Sequence, residues 1–270
     1  MSMTEAGAEL GIGSTALIHP VCFSGRRGSA GKNFYASLPV SPSHVPGDAC
    51  VQWELSDQCV EAFARLIPIL ACGEESAIHV FSGAAALAMS ESPASSNANG
   101  CAMPSVSARA LTDIATDEMR HEAWLAAWRA KLPDCLDPAT RRQARRFFAR
   151  QASDDPALHF IRIAALDSAV CQILAPLITY ETPLFGVTEI RITLNRIRTD
   201  EARHVRISRA CAATWGATPE QIRAEWQSIR FQLATLLESV EPDLATLGTD
   251  TEKLFGLLKR LPDFPVTGSK

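Results

Sequence analysis

The chain reads as all-α. Three observations point there: strand patterns are nearly absent, four long segments carry apolar residues at spacings of three and four, and each apolar stripe is interrupted at mid-helix by an acid or by an acid with a histidine. Two of the interruptions are nearly identical, DEMRH at 117–121 and DEARH at 200–204. Four helices with apolar inner faces bury them best against one another, as a bundle.

Residues 1–55 carry many Gly, Ser and Pro (GRRGSAGKNF, LPVSPSHVPGD) without sustained periodicity, and read as an irregular arm over the surface. The bundle is expected over residues 56–215. Ser56 is an N-cap candidate, and a largely apolar run follows to about Met89, which Pro68 is expected to kink or divide. Its stripe is Ile67, Ala71, Glu74, Ile78, Phe81 and Ala85. Residues 90–107 are a polar loop punctuated by Pro and Gly. A second helix, from about Ala108 to Lys131, aligns Leu111, Ile114, Glu118, His121, Leu125 and Trp128. A third, from about Asp155 to Ile178, aligns Phe160, Ile163, Asp167, Val170, Leu174 and Leu177. In the fourth, from about Thr188 to Trp215, the stripe runs from Ile190, Leu194 and Ile197 through Glu201 and His204 to Ser208, Cys211 and Trp215. Thr218-Pro219 is a cap followed by a first-turn proline, opening a C-terminal extension over 216–270 with one or two more helices through about Arg260.

Composition narrows the function classes. With 270 residues, 47% apolar and 21% charged, the chain has the balance of a soluble globular protein with a substantial core. A net charge of −4 offers no bulk attraction to nucleic acid, and the local cluster Arg141, Arg142, Arg145 and Arg146 reads as a solvated helix face. The first residues include an acid where a signal peptide needs bases, and no uncharged run reaches the ~20 residues of a membrane span. A cytoplasmic protein with no membrane or nucleic-acid partner is expected. Eight cysteines without a CxxC pair argue against a zinc ribbon, a thioredoxin-like motif or a dense disulfide framework, and read as reduced, packed thiols.

The doubled motif carries the chemistry. One acid on the inner stripe of each of four helices would be untenable in a plain apolar core, so something positive must sit among them. A histidine three residues after a glutamate projects from the same face, letting a carboxylate oxygen and an imidazole nitrogen converge on one cation. Two such helices plus a carboxylate from each of two others make four acids and two histidines, the donor set of a dinuclear iron or manganese site in a bundle core.

These residues resemble the ferritin-like di-iron carboxylate proteins, whose pattern is E…ExxH…E…ExxH. The match runs over about residues 56–215 as Glu74, Glu118 with His121, Asp167, and Glu201 with His204. In GEESAIHVF both Glu74 and Glu75 are available; Glu74, with Ala77 and Phe81 following, reproduces the family's first helix, and Glu75 lies in register with His79. Asp167 stands where the family usually has glutamate, one methylene shorter, which bears on bridging geometry and metal preference. Asp117 and Asp200 are expected as outer acids, each accepting a hydrogen bond from the non-ligating nitrogen of a histidine on the paired helix. Glu75 and His79 are the remaining candidates for that outer layer.

The resemblance implies a di-iron oxidoreductase, with manganese the alternative metal, that activates dioxygen with electrons from an external donor. A small or carrier-protein-bound organic substrate fits a chain with about 100 residues beyond the bundle, and a monomer or homodimer is expected. Ferroxidase and iron-storage or peroxide-detoxifying activity is the alternative. A rubredoxin-type module would need a CxxC, and a stable-radical role would want a tyrosine on a ligand stripe, where neither Tyr35 nor Tyr180 falls.

Overall fold

The computed structural model describes residues 53–90 and 108–260; the arm expected over 1–55 falls almost wholly outside them, as do the loop from 91 to 107 and residues 261–270. Every regular element among the described residues is helical. Four helices are long: α1 (Asp57–Ser90), α2 (Ala108–Lys131), α4 (Pro156–Leu177) and α6 (Thr188–Thr214). The others are α3 (Pro138–Ala149), α5 (Pro183–Gly186), α7 (Pro219–Leu237), α8 (Glu241–Thr246) and α9 (Thr251–Lys259).

The long helices pack in two pairs, α1 along α2 and α4 along α6, and the pairs meet chiefly where α2 faces α6. Ring contacts and shared clusters set the directions. Phe63, early in α1, lies 5.5 Å from Trp128, late in α2, while Phe81 and Ala85 share a cluster with Leu111 and Ile114. Neighbours in each pair are therefore antiparallel. Trp128 Nε1 donates to Glu189 Oε1 at 3.2 Å, which ties the end of α2 to the start of α6.

The chain must then travel the full length of these helices to begin α4 at the opposite end, where Phe160 and Ile161 join Cys211 and Ala212. α3 makes that crossing. Asp137 caps it and Pro138 pre-sets its first turn. It buries Ala144, Phe147 and Phe148 while Arg142, Arg145 and Arg146 stay exposed, so the arginine cluster is a solvated face. Gly73 of α1 admits the crossing helix, since a Cβ there would stand 3.3 Å from the Phe148 ring.

Pro68 does not divide α1, which runs continuously through it. Its flanks explain this: Phe63, Leu66, Ile67 and Ile69 are all essentially inaccessible, so packing on both sides holds the helix across the missing hydrogen bond. α6 ends on Gly216 at φ 81, where Gly216 N–H and Ala217 N–H return to the Ala213 and Ala212 carbonyls.

The C-terminal region covers the outside of this core. Thr218 and Gln221 form a reciprocal capping box at the start of α7. α7 packs on α4, α9 on α7 and α4, and α8 on α1 through the Arg65–Asp243 pair at 2.8 Å. Arg230 of α7 is fully buried and donates to Gln172 of α4 and to the Leu257 carbonyl of α9. Enclosed between α6 and α7, α4 is apolar enough by length and composition to cross a membrane, and here it is a core helix.

Phe63 sits between Trp53 and Trp128 with no exposed surface. Phe63→Ala should therefore lower the unfolding free energy by about 3–5 kcal/mol in urea denaturation. Phe231→Ala, at a site 58% exposed, should change it by no more than about 0.5 kcal/mol.

Candidate metal centre

Two apolar clusters fill the ends of the four long helices. One contains Phe63, Ile67, Leu125, Trp128, Leu174 and Leu194, the other Phe81, Leu111, Ile114, Phe160, Ile163 and Cys211. Between them lies a polar layer of Glu74 from α1, Glu118 and His121 from α2, Asp167 from α4, and Glu201 and His204 from α6. All six are buried. The helical period builds this layer directly: Leu111 and Ile114 lead into Glu118 and His121, which lead on to Leu125 and Trp128, so one face changes from apolar to polar and back.

The donors gather into two groups, Glu74–Glu118–His121–Glu201 and Asp167–Glu201–His204, each offering ligand atoms within 4.8 Å of one another. His121 Nδ1 lies 3.2 Å from Glu74 Oε2, 3.4 Å from Glu201 Oε1 and 3.7 Å from Glu118 Oε2. His204 Nδ1 lies 2.8 Å from Glu118 Oε1 and 3.7 Å from Glu201 Oε2. Glu118 and Glu201 thus each face both imidazoles, while Glu74 belongs to one half of the layer and Asp167 to the other.

Burial and proximity redistribute the protons. At Glu118, burial opposes ionisation, but the imidazoles of His121 and His204 outweigh it and hold the carboxyl at about 2. Burial, and next the Glu118 charge, push Glu74 well above the carboxylate range. The same happens at Asp167 through burial and the charges of Glu201 and Glu118. Burial resists charging the rings, yet the surrounding carboxylates raise His121 strongly and push His204 up to about 10. Without a cation the layer therefore balances its charge with protons.

Glu118 Oε1 and His204 Nδ1 face one another at 2.8 Å as an ion pair, and Asp167 Oδ2 is buried with no hydrogen-bond partner among the described residues. Unpartnered buried polar atoms are costly unless something occupies the space they face. A carboxylate and imidazole donor set of this kind could hold a metal ion.

Around the layer the two pentads cross. His121 Nε2 stands 3.3 Å from Asp200 Oδ2, and His204 Nε2 stands 3.4 Å from Asp117 Oδ2, so each aspartate serves the histidine of the other helix. Each ring thereby turns Nδ1 towards the layer. Arg203 pairs with Asp117, and Arg120 with both Asp117 and Asp200. Asp200 is held low: burial opposes ionisation, and the His121 hydrogen bond together with Arg196 and Arg120 more than compensates.

Glu75 is half-buried and His79 exposed, and neither joins the layer or its outer ring; Glu74 is the α1 residue that does. His159 lies apart as well, accepting from Ser153 N–H, with burial pulling it down to about 4. Tyr180 is 84% exposed at the far turn. Trp124 is the participant that pattern reasoning missed. It stacks on His121 with ring centroids 5.8 Å apart and carries the Arg120 guanidinium 5.5 Å above it. Its place three residues after His121 was the available signal. Among the described cysteines, Cys59, Cys72, Cys135, Cys171 and Cys211 are free thiols.

Comparison with protein-family models, curated proteins and solved structures finds no match for this chain.

Protons and metal compete for the same atoms. His121 and His204 are raised by the surrounding carboxylates, and burial favours the protonated forms of Glu74 and Asp167, so a cation would displace protons from the layer. Metal affinity should rise with pH through the range in which His204 loses its proton, near about 10, because the proton on His121 is held more tightly still. Calorimetry in two buffers of different ionisation enthalpy should register protons released per ion bound. A pH-independent affinity with no release would contradict this assignment.

Proposed function

We propose that this chain is a ferritin-like four-helix-bundle protein whose buried layer holds two iron ions, with manganese the alternative. In this reading it is an oxidoreductase that uses dioxygen and an external electron donor to oxygenate or dehydrogenate a small or carrier-protein-bound organic substrate. The observation that carries the reading is the pair of buried donor groups sharing Glu201, with Asp167 Oδ2 left without a hydrogen-bond partner inside them. Two redox-active ions bound there would supply electrons to dioxygen.

The chain's own contribution follows from its geometry. Glu118 and Glu201, each facing both imidazoles, would hold metal together with His121 and His204. Glu74 would complete one half of the donor set and Asp167 the other. Asp117 and Asp200 fix the imidazoles through Nε2 and keep Nδ1 for the metal. The apolar clusters at either end keep water from the centre, as oxygen chemistry on an organic substrate requires. The helices after Pro219 add cover over α4 and α1 that a bare bundle would lack. The protein is read as cytoplasmic, a monomer or homodimer, served by a redox partner and binding neither nucleic acid nor membrane.

Elemental analysis of protein produced with both metals supplied should give two iron or manganese ions per chain, falling to one or none in Glu118→Ala or Glu201→Ala. Light scattering with an iron-loading assay separates this from the alternative, a ferroxidase, storage or peroxide-detoxifying protein. A small particle that stops at two irons is expected; a large shell accumulating iron far beyond that would overturn the oxygenase reading.

A further inference from the structure

The pentad repeats arginine as faithfully as it repeats glutamate and histidine, and the ligand set has no use for it. Its place is outside the layer. Arg120 of α2 reaches Asp117 on its own helix and Asp200 of α6 at 3.2 Å. Arg203 of α6 reaches Asp117 across the interface and comes within 3.9 Å of Asp200 on its own helix. Two aspartates and two arginines therefore alternate in a closed ring. Each aspartate of that ring also faces one ligand histidine, Asp117 towards His204 and Asp200 towards His121. Arg120 is further fixed by lying over Trp124, which stacks on His121. The outer side of the ring opens into a shallow depression of about 400 Å³ lined by Thr199, Asp200, Ala202, Arg203 and Arg206.

We propose that Arg120 and Arg203 are positioning residues that couple the two halves of the centre, so that binding one metal ion orders the histidine for the second. The inference rests on reading the buried layer as a dinuclear centre. A cation on Nδ1 fixes the imidazole plane, which fixes the aspartate at Nε2. The aspartate fixes both guanidinium groups, whose planar forks allow few alternative geometries. Through them the other aspartate and the other imidazole are already ordered when the second ion arrives, and the ordering entropy is not lost twice. Each half alone would bind its ion with ordinary affinity; the ring makes the second event easier than the first.

The test titrates metal-free protein with Co²⁺ and counts empty, one-metal and two-metal forms by native mass spectrometry. In the wild type the one-metal form should stay minor throughout. In Arg120→Gln and in Arg203→Gln the capacity should remain two, but the second affinity should fall relative to the first by roughly 5- to 150-fold, and the one-metal form should accumulate. Arg120→Lys, which keeps the charge and loses the fork, should behave as Arg120→Gln does. Thermal melts of the metal-free variants identify any that fail to fold, in which case the other arginine's variants decide. A one-metal population equal in wild type and folded variants would overturn the coupling while leaving the centre in place. A wild type that binds no Co²⁺ at this layer would overturn the dinuclear reading, and this inference with it.

Discussion

Four carboxylates and two imidazoles share one layer inside an apolar core, and their charge must be balanced there. Unpaired, ionised carboxylates in such surroundings would cost more than a domain's net stability. The structure meets this constraint at three depths. Glu118 stays ionised against two imidazoles, burial and neighbouring charge favour the protonated forms of Glu74 and Asp167, and Asp117 with Asp200 brings negative charge to the outer nitrogens under cover of arginine. Two divalent cations would replace the protons without altering the balance, because four carboxylates match four positive charges.

The surrounding architecture follows from keeping that layer dry and aligned. The apolar clusters on both sides set the registry of α1 against α2 and of α4 against α6, and the layer is where their stripes change character. α3 must run the length of the core so that α4 enters antiparallel to α6, which is how Asp167 comes level with Glu201 and His204. The later helices then cover the outer face of α4, whose apolar composition would otherwise be exposed.

Much of this was legible because the signals were local and periodic. The stripe Leu111, Ile114, Glu118, His121, Leu125, Trp128 gave both the span of α2 and the depth of its polar pair, and the repeat in α6 gave its partner. Glu74 was preferred to Glu75 because Ala77 and Phe81 follow it as in the family it resembles, while periodicity discriminates poorly in a helix apolar on most sides; tertiary packing places Glu74 inward. His79 shared a register with Glu75; it is exposed and Glu75 half-buried, which spacing could not reveal. Pro68 carried a local signal for a break that packing around Phe63, Leu66 and Ile67 overrides. The arginine ring depends on how two helices cross, so sequence could suggest that Arg120 and Arg203 pair with acids but not that both meet the same two.

The proposed function requires two metal ions in one layer. Anomalous diffraction at the iron edge from crystals of iron-loaded protein tests this most directly. Two peaks about 3.5–4 Å apart are expected, the separation of paired catalytic metals. One should lie among Glu74, Glu118, His121 and Glu201 and the other among Asp167, Glu201 and His204, with Asp200 and Asp117 on the far nitrogens of the histidines. No peak in the layer, or peaks at cysteine or surface sites instead, would contradict it.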